Sequence, residues 1–324
     1  MKNNITISVA LCTFNGEQYI EDQLKSIVSQ QLLPNEIVIC DDQSQDNTVS
    51  IVNSFINRWN DKININLHIN EKRLGVRANF QKAILLCNYD IIFLSDQDDI
   101  WHNNKTEKVI SFFNEHPDIH VVFANANLVD NNNNIYSKTL FDAVNFKEEA
   151  QQLFAEGYAF ELLNIDNRIT GATMAFKRDF VAGNIDFRDY HDVLHDEALS
   201  LYAIKNNSLA FITECLMSYR IHETQAAGLS SRLESPPDIN VFEYKPVKYW
   251  DKKTKELIPN EKLIILQNRD LFIKSYFGFF VILFNIALYK KNYNHYYKRI
   301  MKEDIRSFFR NHLKNIKKIF KKFI

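Results

Sequence analysis

At 324 residues the chain exceeds the ~100 to 200 residues usual for one domain, so it has room for a large core and an appendage. Its 46% hydrophobic and 24% charged residues are ordinary globular usage, and Gly 7 with Pro 6 excludes a collagen-like or linker-rich chain. The formal net charge of −1 hides a split, because Lys290 to Ile324 holds twelve Lys or Arg against Glu303 and Asp304, leaving the tail at about +10 and the rest at about −11.

In chain order, "ITISVALC" at 5–12 is apolar and β-branched and predicts a strand that Asn15-Gly16 ends. The next stretch, "EQYIEDQLKSIVSQQ", sets Tyr19, Ile20, Leu24, Ile27 and Val28 at helical spacing. The unit recurs as "NEIVICDD" with a helix near 46–59, "INLHIN" with a helix near 77–87, and "YDIIFLSD" with a helix near 103–115, followed by "IHVVFANANLV". Alternating strands and helices with near-continuous apolar strands predict an α/β fold, a mostly parallel central sheet flanked by helices. After Asp130 the pattern loosens: 137–165 reads as an irregular, partly helical insertion, "RITGATMAFKRD" as a strand and 192–205 as a helix. The segment "LAFITECLMSYRIH" reads as two short strands or one bent one, and 223–240 as a loop able to move.

Cys12, Cys40, Cys87 and Cys215 are widely spaced in apolar runs, which suits buried thiols in a reducing cytosol and indicates neither a zinc site nor a disulfide framework. The first residues turn polar straight after their short apolar run, which makes a poor signal peptide.

In an open α/β sheet ligands bind beyond the carboxyl ends of the strands. That rule selects Thr13 to Gly16, Asp41 to Ser44, Arg73 to Arg77 and Asp96 to Asp99. The stretch "FLSDQDDIW" crowds Asp96, Asp98 and Asp99 together. Such carboxylates repel unless a hard cation, Mg²⁺ or Mn²⁺, or hydrogen bonds compensate. The alternative is that Asp98 or Asp99 caps the helix beginning near Asn103. In "CDDQSQDNT" Asp46 suits the cap of the next helix, which leaves Asp41 and Asp42 to be explained.

The series "ISVALCTFNGEQYIEDQLKSIVSQ", "EIVICDDQSQDNT" and "FLSDQDDIW" resembles family 2 glycosyltransferases of the GT-A fold, particularly bacterial rhamnosyltransferase-like members, over roughly residues 5 to 230. The resemblance implies a nucleotide-diphospho-sugar transferase domain at 1–235, and the remaining 236–324 reads from its own composition as a C-terminal helical, basic, membrane-associating region. It implies donor contacts from Thr13, Phe14 and Asn15, from Asp41 or Asp42 to the base, and from Arg73 and Arg77 near the diphosphate. Asp96, Asp98 and Asp99 match the D-x-D motif for a divalent metal and the donor's ribose and diphosphate, with Asp98 on the ion, Asp96 toward the ribose and Asp99 near the sugar. "RITGATMAFKRD" resembles the acceptor-side strand, with Gly171 allowing close approach. "HDVLHDEALSLYA" resembles the segment holding the catalytic base, Asp196, with His195 beside it. "YRIHETQAAG" matches His222 to a metal-completing histidine, and the loop from Glu223 would close over bound donor.

The implied activity is inverting transfer of a sugar from dTDP-rhamnose or a UDP-sugar to a hydroxyl of a glycan or lipid-linked acceptor in bacterial surface polysaccharide synthesis. Two rivals stand beside it. His191 and His195, four apart, would share one face of a helix in a zinc hydrolase, and the chain could instead be a catalytically silent nucleotide-sugar-binding partner. At the far end, the fifteen residues of "SYFGFFVILFNIALY" are short for a span. Ile300 to Phe323 repeat apolar residues at helical spacing with Lys and Arg opposite, which predicts an in-plane helix on anionic lipid at the cytoplasmic face of the membrane. No nucleic-acid motif accompanies the basic charge.

Overall fold

The computed structural model describes residues 5–159, 162–163, 168–181, 185, 194–223, 225 and 229. His191, most of the 223–240 loop and the whole basic tail lie outside them.

The alternation predicted from the sequence is observed. β1 (Ile7–Thr13), β2 (Glu36–Asp41), β3 (Asn64–Ile69) and β4 (Ile91–Ser95) alternate with α1 (Ile20–Val28), α2 (Thr48–Trp59) and α3 (Val76–Leu86). β1, β2 and β4 are buried along their entire lengths, which their unbroken apolar sequences require of inner strands covered on both faces. β1 pairs in parallel with both β2 and β4, and β2 pairs in parallel with β3. The chain moves outward from β1 to β3 and then crosses back to place β4 on the other side of β1. The crevice beyond the carboxyl ends of β1 and β4 is therefore a topological switch point.

Past β4 the sheet becomes mixed, with strand order β3-β2-β1-β4-β8-β6-β9-β5 and β7 (Ile135–Thr139) beside β6 (Val121–Val129). β8 (Met174–Lys177) runs antiparallel to both β4 and β6, while β9 (Leu209–Arg220) is parallel to β6. "RITGATMAFKRD" is thus not one strand: a 3-10 turn at Gly171–Thr173 leads into β8, and a short helix, Arg178–Val181, follows. β9 is a single strand whose register against β6 shifts between Ala124 and Asn127, the bent alternative of the two foreseen. β5 is only Ile100–Trp101, paired antiparallel to β9, and α4 (Lys105–Glu115) follows it.

The insertion after β7 is fixed by aromatic packing. Phe141, Phe146 and Phe154 surround Phe123 of β6 and Phe211 of β9 with ring centroids 4.9 to 6.4 Å apart in mostly edge-on geometry. Each buried ring contributes roughly 1.5–3 kcal/mol, enough to order a segment of weak helical pattern. Among the described residues, no helix is long and apolar enough to cross a membrane.

Candidate functional site

The ends of β1 and β2 form one wall. Thr13 and Asp41 are register partners, and the Thr13 hydroxyl donates to Asp41 Oδ2 at 2.8 Å. Ser44 donates its backbone N–H to Asp41 Oδ1 at 2.9 Å and its hydroxyl to Oδ2. Asp42 turns the other way: it accepts from Asn70 Nδ2 and from the backbone N–H groups of Leu74 and Gly75 at 2.7 to 2.8 Å. The loop it gathers needs Gly75 at φ +82° and brings the Arg73 guanidinium 3.9 Å from the centre of the Phe14 ring. Asn15, at φ +50°, donates its backbone N–H to the Ser44 hydroxyl and accepts from Gln45 N–H. Arg77 lies half-buried in the first turn of α3. Asp46 is not the cap expected of it: Asn47 stands at the N-cap of α2 with no side-chain cap, and Asp46, one residue earlier, accepts from Thr48 N–H at 3.0 Å.

The acidic stretch after β4 forms the floor. Asp98 Oδ2 and His222 Nε2, 124 residues apart in the chain, meet at 2.8 Å with both side chains buried. Asp99 Oδ1 accepts from Arg220 N–H at 3.0 Å, and its buried Oδ2 has no hydrogen-bond partner among the described residues. Neither acid caps α4: the helix begins at Lys105 with Asn104 before it and no side-chain cap, so the capping alternative falls away. Burial, reinforced by Asp98 and then Asp196, pushes Asp96 up to about 8. Burial with Asp98 and Asp96 likewise raises Asp99 well above the carboxylate range. These carboxyls converge on a place that lacks enough positive charge.

A divalent cation fits that place. Asp98 and His222 already lie within hydrogen-bond reach of each other, and Asp99 has an unused buried oxygen. Among the described residues no group of three or more His, Cys, Asp or Glu could hold an ion alone. This donor set suits Mn²⁺ or Mg²⁺ held by few protein ligands and completed by phosphate oxygens.

The third element is the helix His195–Lys205. Asp196, 7% exposed in its first turn, accepts from Gly171 N–H on Oδ2 at 3.0 Å and from Glu197 N–H on Oδ1 at 2.8 Å. His195 stacks on Phe80 with centroids 4.0 Å apart, and neither ring nitrogen has a hydrogen-bond partner among the described residues. Burial lowers its pKa against a smaller upward pull from Asp196. A Cβ on Gly171 would come within 2.9 Å of His195 Nε2 and 3.3 Å of Asp196 Cβ, so this glycine is a true close approach. For the zinc reading, the backbone of Leu194 is extended (φ −70°, ψ 164°) and the helix starts only at His195. His191, the other half of that pair, lies outside the described residues.

Three organising residues escaped the sequence reading. Gln97, inside the acidic motif, pairs its side-chain amide with the Phe14 backbone, accepting at 2.9 Å and donating at 3.1 Å, and fills the space a side chain on Gly16 would need. Arg220, 2% exposed, donates from Nε to the Asp98 carbonyl at 2.8 Å and from Nη1 to the Asp130 carbonyl at 3.0 Å, and lies 4.8 Å from the centre of the Tyr19 ring. Lys105, 1% exposed, is driven down to about 7 by burial against the pull of Asp99 and Asp96. Only Lys105 left a usable signal, since it falls four and eight residues before the buried Val109 and Phe113 on the inner face of α4.

Comparison with known proteins gives the family. The model of glycosyl transferase family 2 matches residues 8–182. A dTDP-rhamnosyl transferase of Shigella flexneri, RfbG, is 33% identical over 231 residues, 67% of this chain and 73% of its own length. An Escherichia coli UDP-Gal:alpha-D-GlcNAc-diphosphoundecaprenol beta-1,3-galactosyltransferase is 26% identical over 117 residues, 36% of this chain and 42% of its own. S. aureus TarS, solved with UDP-GlcNAc, superposes with a TM-score of 0.49 and 19% identity over 68% of this chain and 60% of that one. The match to the galactosyltransferase thus spans less than half of that relative's length, and the match to TarS three-fifths of the solved chain. With the family model spanning more than half of the sequence and a relative of 33% identity covering two thirds of it, the chain belongs to glycosyl transferase family 2 and has its GT-A fold.

Proposed function

We propose that this enzyme moves a sugar, with inversion and with the help of Mn²⁺ or Mg²⁺, from dTDP-rhamnose or a UDP-sugar to a hydroxyl of a glycan or lipid-linked acceptor. The observation that carries the reading is the meeting of Asp98 with His222 in the same acidic cluster whose charge reaches Asp196. The names of the rhamnosyl and galactosyl relatives support the donor and acceptor classes.

In this reading Phe14 faces the base, Thr13 and Asn15 shape the nucleotide loop, and Asp41 or Asp42 contacts the base from the loop that both carboxylates hold through the bonds described above. Asp96 and Asp99 face the ribose and the sugar, and Arg73 and Arg77 supply guanidinium donors suited to phosphate oxygens. Asp98 and His222 would hold the cation, which when bound supplies Lewis-acid stabilisation of the negative charge on the departing diphosphate. Asp196 removes the proton of the acceptor hydroxyl as that oxygen attacks the anomeric carbon from the face opposite the leaving group. Its two backbone hydrogen bonds orient the carboxylate and leave each oxygen a lone pair for the incoming hydroxyl. Gly171 and His195 line the acceptor side. The amphipathic basic tail would keep the enzyme at the cytoplasmic membrane surface, where a lipid-linked acceptor resides.

The test is Asp196→Asn, assayed for transfer with dTDP-rhamnose and UDP-sugars in the presence of Mn²⁺. Turnover should fall about 10²- to 10⁴-fold with donor affinity nearly intact. Unchanged turnover would refute the base assignment.

A further inference from the structure

Lys105 stands apart from every role assigned above. A lysine at 1% exposure is rare unless an anion faces it, yet no carboxylate forms an ion pair with Lys105 among the described residues. Its Nζ instead donates to the carbonyl of Ala172 at 2.9 Å, lies 3.3 Å from Met217 Sδ, and rests 4.0 Å from the centre of the Trp101 ring. Each of these neighbours belongs to an element of the site. Ala172 is the middle residue of the Gly171–Thr173 turn, whose first N–H donates to Asp196 Oδ2. Trp101 and Met217 are register partners in the β5–β9 ladder, and β9 ends at Arg220, which holds the carbonyl of Asp98 and the carboxylate of Asp99.

We propose that Lys105 is a positioning residue for the transfer step, pinning the Gly171–Thr173 turn to the β5–β9 ladder so that the Asp196 carboxylate is held in fixed relation to the acidic cluster. The proposal rests on Asp196 acting as the base. Lys105 touches no substrate in this scheme and acts through the Ala172 carbonyl and the Gly171 N–H. Loss of the ammonium leaves a buried carbonyl without its donor and frees the turn, and a displacement of ~1 Å at a reacting group costs about a hundredfold in rate.

The test compares Lys105→Met, similar in length and without a donor, with the intact enzyme, alone and combined with Asp196→Asn. Three readouts are used: kcat and KM for the donor, calorimetric donor affinity with Mn²⁺, and the melting curve. Lys105→Met should lower kcat about a hundredfold while donor KM and affinity move less than about threefold. In the Asp196→Asn background it should cost less than about threefold more, because a residue that works through the base has nothing left to position. A merely structural lysine would instead lower both backgrounds equally and weaken donor binding, and that result overturns the proposal, as does an unchanged kcat. If Lys105→Met does not fold, Lys105→Leu, which likewise has no donor for the Ala172 carbonyl, carries the same cycle. Failure of both to fold makes Lys105 a core residue and also overturns the proposal. Full turnover by Asp196→Asn alone would sink the base assignment, whereas an inactive Asp196→Asn beside a normal Lys105→Met would sink only the role of Lys105.

Discussion

Gly171 is needed for space and not for an unusual backbone angle. Its missing Cβ is what lets His195 stack on Phe80 while Asp196 takes the Gly171 N–H, because an added methyl would meet His195 Nε2 at 2.9 Å and Asp196 Oδ2 at 3.5 Å. The imidazole cannot retreat cheaply, since the Phe80 ring lies 4.0 Å behind it. The strain must therefore fall on the start of the helix His195–Lys205, which carries the carboxylate. Gly171→Ala is expected to reduce kcat about a hundredfold and leave donor affinity nearly unchanged, because this turn packs chiefly on β4, β6, β9 and the helix that carries Asp196. Steady-state kinetics beside a calorimetric donor titration decide it. A rise in donor KM without loss of kcat would show that the turn serves the nucleotide instead.

At the scale of elements, the site is an assembly of strand ends tied by side chains distant in sequence. The turn after β4 is coupled to the loop after β1 through the Gln97 amide, and β9 is coupled to that same turn through Arg220. Gln97→Ala removes two hydrogen bonds, each worth about 0.5–1.5 kcal/mol, so donor affinity should weaken about tenfold. Asp96 and Asp98 stay on their strand end, and kcat at saturating donor should change little. Equal affinity in the variant and the parent would mean that the two loops hold their shapes independently. This coupling also marks what could be read in advance. Strands β1 to β4 and their helices follow from apolar runs and helical spacing, and Asp41, Asp42, Asp96, Asp98 and Asp99 stand out because each closely follows a buried strand. The two-residue β5 and the roles of Gln97 and Arg220 depend on partners more than eighty residues away, the turn at Gly171 depends on one 25 residues away, and no local pattern encodes a partner. Only the burial of Lys105 was written in a local period, on the inner face of α4.

Across the whole molecule, the acidic cluster sets stability against pH and links it to cation binding. Asp96 is raised to about 8, first by burial and then by Asp98 and Asp196, whereas an unfolded aspartate titrates near its ordinary 3.8. Between those limits the folded chain keeps a proton that the unfolded chain has released, so folding binds protons and ∂ΔG/∂pH is negative. The stabilisation linked to Asp96 is therefore complete below about pH 4 and lost as the pH rises toward about 8, and Asp99, raised in the same direction, adds to the slope. A divalent cation held by Asp98 and His222 would replace that proton as the compensating charge. The gain in melting temperature on adding Mn²⁺ to chelator-treated enzyme should then grow from about pH 6 to about pH 8, and Asp96→Asn should flatten the pH dependence measured in chelator. Melting curves across that range, with and without Mn²⁺, test both statements. A Mn²⁺ gain that is constant or shrinks toward high pH would mean that the cation does not take over the charge that Asp96 and Asp99 otherwise leave to protons.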